Sequence, residues 1–373
     1  MQIRQIPERK SIVDGGVPVA HFHMPPAFQR REQNSAGTRP FSEIGWTASA
    51  CRRNLPPIAN TMGGMSSTDG RIDTSDWSLL CLLAMLWGGS FFFAGVALKE
   101  LPPLTLVLLR VTLGAAFLLP LLWRYRIGFP RTLAAWKPYV AVALFNNVLP
   151  FSLFVTAQTF IASGLASILN ATTPLFTIAV MALSGEERLS ARRVAGVAIG
   201  LIGVVILRGG VDVARSGAGV GVLLCLAGAL SYGLAALAAR RYLEHSPPLA
   251  TATFQLMASS AMMTVIAGIV ERPWQLPLPG ATTWTAMIGF GALSTALAYI
   301  VFFQIVRRSG ASNVMLVTLL IPVTAILLGY LVLGERISFG EIVGALVIGS
   351  ALLLIDWRVP NLIASLLLPQ KVE

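Results

Sequence analysis

The chain is short of charge. Of its 373 residues only 12% are Asp, Glu, Lys or Arg, against 55% hydrophobic. Soluble globular chains carry about 25% charged residues. That deficit excludes an ordinary cytosolic enzyme, a disordered regulator and a collagen-like fibre. Cysteine is scarce as well. Cys51, Cys81 and Cys225 are odd in number and widely spaced, which excludes a disulfide framework and a zinc site of the C-x-x-C kind. The three histidines, His21, His23 and His245, lie outside the apolar runs with no carboxylate or Cys cluster beside them. No metal and no other cofactor is expected. Acidic residues number 17 against 28 basic ones, a net charge of +11. No Lys/Arg stripe follows one helix face, so this excess does not mark a nucleic-acid partner.

What is present is apolar sequence in long runs. Residues 1–76 stand apart from it. They are rich in Pro, Gly, Ser, Arg and Gln, hold nine of the basic residues and seven acids, and show no periodicity. They read as a disordered tail without the apolar core of a signal peptide. Met62 and Met65 precede the first apolar run and are alternative starts. From Trp77 on, charge-free runs succeed one another: Trp77–Leu98 has no charged residue, Leu101–Trp123 only Arg110, and Pro138–Gly185 none in 48 residues. A bilayer core of roughly 30 Å takes about 20 helical residues. The runs therefore predict an all-α integral membrane protein of ten spans, at 77–98, 103–123, 137–159, 163–184, 190–208, 217–240, 247–270, 281–306, 310–333 and 338–357. A β-barrel is excluded, because the runs are too long and do not alternate. Residues 358–373 form a short C-terminal tail.

Basic residues in alternate gaps set the expected orientation. One set of gaps holds eleven: Arg124, Arg126, Arg131, Lys137, Arg188, Arg192, Arg193, Arg240, Arg241, Arg307 and Arg308. The other holds five: Lys99, Arg208, Arg215, Arg272 and Arg336. The richer set faces the cytoplasm, which places both termini there.

The sequence also repeats. A shift of 148 carries Pro174 onto Pro322, Glu187 onto Glu335, Arg188 onto Arg336, Ser190 onto Ser338 and Gly196 onto Gly344. A shift of 145 carries Pro102-Pro103 onto Pro247-Pro248, Trp87 onto Tyr232 and Gly88 onto Gly233. Each copy, 77–208 and 217–357, contains five spans. Five is odd, so the second copy enters the membrane from the other side, as inverted-topology repeats do. The ten spans, the duplication, the Leu-Trp-Gly-Gly-Ser opening (86–90), Leu109-Arg110 in span 2 and the repeated Pro…Gly-Glu-x-Leu/Ile-Ser pattern together resemble the drug/metabolite transporter superfamily, EamA type. The resemblance covers about residues 77–357. It implies an inner-membrane carrier of metabolites, often an exporter of amino acids or similar small solutes.

Few residues within the spans could touch such a solute. Arg110 is the only charged residue well inside a span, about 10 Å from its end. A charge near the bilayer centre costs roughly 2.5–3.5 kcal/mol on insertion scales, so Arg110 is expected to face the protein interior. There it either anchors a substrate carboxylate or serves structure through carbonyls. No Asp, Glu, Lys or His lies deep in another span, which argues against a carboxylate-coupled antiport. Pro174 and Pro322 stand mid-span in equivalent places and release the carbonyls of Asn170 and Thr318. Freed carbonyls in hydrocarbon need a partner or a wet cavity, so these positions mark either a cavity with hinges or kinked packing helices. Trp87, Tyr232 and Tyr299 add aromatic surface, and Asn146, Asn147, Gln158 and Gln304 add uncharged polar groups. As a set they suit an amino-acid-sized or aromatic solute, while each aromatic alone also reads as packing. Glu187 and Glu335, at span ends on opposite faces, tie helix connections or serve as proton or gate groups. Gly196-x-x-x-Gly200 and Gly340-x-x-x-Gly344 are packing seams or homodimer contacts.

The expected function is transport of a small organic solute by alternating access, with amino acids or related metabolites moving outward. A carrier of phosphorylated sugars or nucleotide-sugars is the alternative, but it needs several intramembrane cations. A membrane enzyme needs clustered Asp, Glu or His near a surface, which the sequence lacks. A scaffold or sensor without transport is the remaining alternative.

Overall fold

The computed structural model describes residues 74–186, 190–207, 217–309, 311–336 and 338–355. The N-terminal tail up to residue 73, Glu187 and Arg188 of the repeated motif, and residues 356–373 lie outside the described residues. Every regular element described is helical: α1 (Thr74–Ala97), α2 (Pro103–Arg124), α3 (Leu133–Ala157) and α4 (Ser163–Leu183), α5 (Ala191–Leu207), α6 (Ala218–Leu243), α7 (Pro248–Val270), α8 (Ala281–Arg308), α9 (Ala311–Leu328) and α10 (Phe339–Ile355). Among the described residues, seven helices, α1–α4 and α6–α8, are long and apolar enough to cross a bilayer, and shorter apolar helices cover Val317–Leu333 and Phe339–Leu354. α5 and α10 have 17 residues each, about 25 Å of helix.

Local sequence explains the helix ends. Pro103 and Pro248 occupy the first helical position after another proline, where a missing N–H costs nothing and the fixed φ suits the helix. Thr132 caps α3 by accepting from the Ala135 N–H at 3.2 Å. Gly334, at φ 70°, ends the π-turn Gly329–Leu333 that prolongs α9, a left-handed conformation natural to glycine.

Helices from the two halves interleave. α1 packs on α8 and α9, and its repeat mate α6 packs on α3 and α4. α2 packs on α7, and α5 on α10. Exchanging each helix with the one five places on reproduces this pattern, so the halves share one interior. Gly88 on α1 shows how closely α9 approaches. A Cβ there would stand 2.6 Å from Thr324 Cβ and 2.8 Å from the Ile321 carbonyl. Its repeat mate Gly233 on α6 faces Phe176 of α4, where a Cβ would lie 3.1 Å from the backbone. The small residues of α5 and α10 are used within the chain. A Cβ at Gly203 would meet the Gly344 carbonyl at 3.1 Å, and Gly200 faces Leu175.

The two ends of the bundle are tied differently. At one end, carboxylates cap helix N-termini contributed by the other half. Glu271 accepts from the backbone N–H of Leu104 (2.9 Å) and Thr105 (2.6 Å) and from Thr105 Oγ1 (2.8 Å). Glu335 accepts from Ser163 N (2.8 Å), Ser163 Oγ (2.8 Å) and Gly164 N (3.2 Å). Both put negative charge where the helix dipole is positive. At the other end, Arg241 Nε donates to Glu186 at 2.8 Å and Arg308 Nε stands 3.1 Å from Asp76. The hydrogen bond from Arg241 and the charges of Arg241 and Arg240 hold the Glu186 carboxyl below its ordinary pKa, against some desolvation. The C-terminus of α4 is thus at the arginine end and that of its counterpart α9 at the capped end, so the two helices run in opposite directions.

Candidate functional site

A cavity of about 440 Å³ lies between the halves, walled by residues of every helix except α5 and α10. Arg110 reaches it from α2 and is only 8% exposed. Its Nε donates to Thr295 Oγ1 at 3.2 Å. Its guanidinium carbon stands 3.5 Å from the Phe151 ring centroid and 4.3 Å from that of Phe290. Two aromatic faces therefore hold the cation by its ring quadrupoles. Among the described residues Arg110 has no carboxylate partner.

The same cavity holds a neutral polar cluster. Asn146 Nδ2 donates to Gln255 Oε1 at 3.2 Å and to Tyr299 OH at 3.1 Å. Asn147 Nδ2 donates to Ser259 Oγ at 3.0 Å, and Tyr299 OH donates to Asn147 Oδ1 at 3.0 Å. Trp87 lies against Phe302, with centroids 5.6 Å apart, and Tyr232 stacks on Phe154 at 6.0 Å. The paired aromatics line the same cavity as the polar groups.

Two π-turns position these residues. One spans Leu144–Val148 in α3 and the other Ala292–Leu297 in α8. They begin 148 residues apart, the repeat shift. A π-turn adds a residue to the helical turn and is a frequent feature of functional sites. Each presents two consecutive polar side chains, Asn146-Asn147 in one half and Ser294-Thr295 in the other. The 145 shift carries Arg110 onto Gln255. The site is therefore one arrangement built twice and filled differently: Arg110 with Thr295 on one side, Gln255 with Asn146 on the other.

Of the residues singled out from sequence, Trp87, Arg110, Asn146, Gln158, Asn170, Tyr232, Tyr299 and Thr318 line the cavity. Asn147 is completely buried behind it and acts through hydrogen bonds. Gln304 does not join the site and is exposed. It follows Tyr299 by five residues, about 140° further round the helix, which turns it outward. The two prolines are not equivalent. α4 is broken into Ser163–Asn170 and Thr173–Leu183, with Pro174 opening the second piece, whereas α9 stays α-helical through Pro322. Gln255, Ser294, Thr295, Phe151 and Phe290 were missed from sequence. For Gln255 the signal was available, because the same 145 shift that pairs Trp87 with Tyr232 pairs it with Arg110.

Apolar helices of spanning length around a buried, partly polar cavity define a membrane carrier by class. The EamA-like transporter family model matches the chain twice, over residues 76–209 and 219–356, and the chain belongs to that family. It is similar to the Bacillus subtilis uncharacterized transporter YoaV, with 26% identity over 71% of this chain and 91% of that protein. It is likewise similar to a probable amino-acid metabolite efflux pump of Salmonella typhimurium, with 26% identity over 74% and 93%. The uncharacterized inner membrane transporter YedA of Escherichia coli K12 is 29% identical over 69% and 83%. A solved crystal structure matches with a TM-score of 0.55 and 22% identity, covering 77% of this chain and 99% of that one, a likeness of fold.

Proposed function

We propose that this transporter exports small organic solutes carrying one carboxylate, amino acids or related metabolites, by alternating access, with Arg110 as the carboxylate anchor. One observation carries the reading. A guanidinium 8% exposed faces a cavity with a hydroxyl and two rings as neighbours and, among the described residues, no anion paired with it. Burying a cation without a counter-ion is costly, and an entering carboxylate supplies that counter-ion. A bidentate Arg–carboxylate pair is among the stronger charge-assisted bonds. The named amino-acid efflux relative favours the same substrate class. The interleaved pairing of helices favours rocking of one half against the other around a central site. We place the protein in the inner membrane, with both termini cytoplasmic by the basic bias of its loops.

The alternative of phosphorylated sugars or nucleotide-sugars needs two or more cations at the site. Arg110 is the one charged residue among the described residues that line the cavity. The test is efflux of labelled amino acids from proteoliposomes. Arg110→Gln should abolish it and Arg110→Lys should restore little, since a Lys lacks the planar fork. Full flux in Arg110→Gln would refute the anchor.

A further inference from the structure

Resting on the carboxylate reading just given, we infer that Ser294 Oγ is the acceptor for the substrate's α-amino group, so that the cavity selects α-amino acids over the same acids without the amine. Hydroxyls on helices here commonly donate to the carbonyl four residues back: Ser259 to Gln255, Ser260 to Leu256, Thr253 to Leu249. Ser294 departs from this habit. The carbonyl four residues before it belongs to Phe290, and Thr295 Oγ1 donates to that carbonyl at 2.9 Å. Thr295 lies five residues on, which the π-turn Ala292–Leu297 brings into reach. The π-turn thus does two things at once. It aims the free lone pairs of Thr295 Oγ1 at Arg110 Nε, and it leaves the neighbouring Ser294 hydroxyl without a hydrogen bond.

Ser294 is 1% exposed, its Oγ has no partner, and it lines the cavity. A buried hydroxyl left unmade costs on the order of 1–3 kcal/mol, which a ligand donor relieves. A carbon–hydrogen wall would have been cheaper had nothing polar been meant to bind. Gly89 of α1 faces it, and a Cβ there would meet Ser294 Oγ at 3.8 Å, ordinary van der Waals contact. The geometry suits an α-amino acid. Ser294 and Thr295 are consecutive, with Cα atoms about 3.8 Å apart. An α-carbon carries carboxylate and ammonium on adjacent bonds, which matches a cation held by Thr295 with an open hydroxyl on the next residue. Gln158 Oε1, also buried and unpartnered, is a second neutral acceptor in the same lining. The repeat mate of Ser294, 148 residues earlier, is Asn146, whose Nδ2 donates to Gln255 and Tyr299.

The experiment uses the full chain in proteoliposomes and two pairs of probes: phenylalanine with 3-phenylpropanoate, and leucine with 4-methylpentanoate. Each probe is tested for the concentration that half-saturates exchange. The wild type should favour the amino acid of each pair by about tenfold, the equivalent of a hydrogen bond from a charged donor. Ser294→Ala should lose that preference by weakening the amino acids alone. Arg110→Gln should weaken all four probes. Ser294→Ala should melt no lower than the wild type, because it removes an unpaired hydroxyl, so failure to fold does not obscure the readout. An unchanged preference in Ser294→Ala, with Arg110→Gln still weakening all four, overturns the amine subsite and leaves the carboxylate anchor standing. Arg110→Gln leaving all four unchanged, or no probe exchanging in the wild type, overturns both.

Discussion

Replacing Thr295 by Val tests the central contact most directly. The side chain keeps its shape and loses one oxygen with two jobs: accepting from Arg110 Nε at 3.2 Å and donating to the Phe290 carbonyl at 2.9 Å. The two losses differ in size. Stripped of Thr295, the Phe290 carbonyl is four residues before Ser294, whose idle hydroxyl can take it over, so that loss is small. The Arg110 N–H has no such substitute among the described residues, and a buried bond to a charged group contributes about 1.5–3 kcal/mol. Thr295→Val should therefore lower the thermal stability of the purified protein by roughly 2 kcal/mol, a shift of several degrees. Combined with Arg110→Met, the two changes should couple by about the same amount, since the single variants lose one shared interaction. Transport should suffer twice, through an unfixed guanidinium and through a Ser294 hydroxyl now satisfied within its own helix. Half-saturation for amino acids should rise more than for the des-amino acids. Strict additivity of the two stabilities, or unchanged transport, would show that Thr295 does not hold Arg110.

Two further expectations concern the scaffold. Gly88→Val and Gly233→Val should both lower the yield of folded protein, Gly88→Val the more, because its Cβ would strike backbone at 2.8 Å rather than 3.1 Å. Gly349→Ala, with nothing within 4 Å, should be neutral, and equal yields across the three would refute the close-approach account. Single cysteines placed at exposed His245 and Arg336, in a background lacking Cys51, Cys81 and Cys225, should label with an impermeant thiol reagent from opposite sides of the membrane. Labelling from one side would refute the opposed directions of α4 and α9.

Several features were legible in the sequence because their causes are local. Charge-free runs of bilayer length force helices, since backbone groups in hydrocarbon must be satisfied within the segment. The 145 and 148 shifts identified which helices are counterparts and aligned Gly88 with Gly233. Arg110 stood out because an intramembrane charge has to be explained. Other features needed the packed structure. Hydropathy treats Gln304 and Tyr299 alike, and only the helix rotation after a π-turn decides that one faces the cavity and the other does not. Pro174 and Pro322 are the same residue in the same repeat position, yet α4 breaks and α9 continues. Ser294 is one serine among many until Thr295 takes the Phe290 carbonyl from it. Which hydroxyl is left free is a competition between donors four and five residues from one acceptor, settled by how α2 and α8 approach each other. That approach is made by residues 185 apart in the chain, which is why periodicity identified the helices and only the tertiary structure decided which of their polar atoms face the solute.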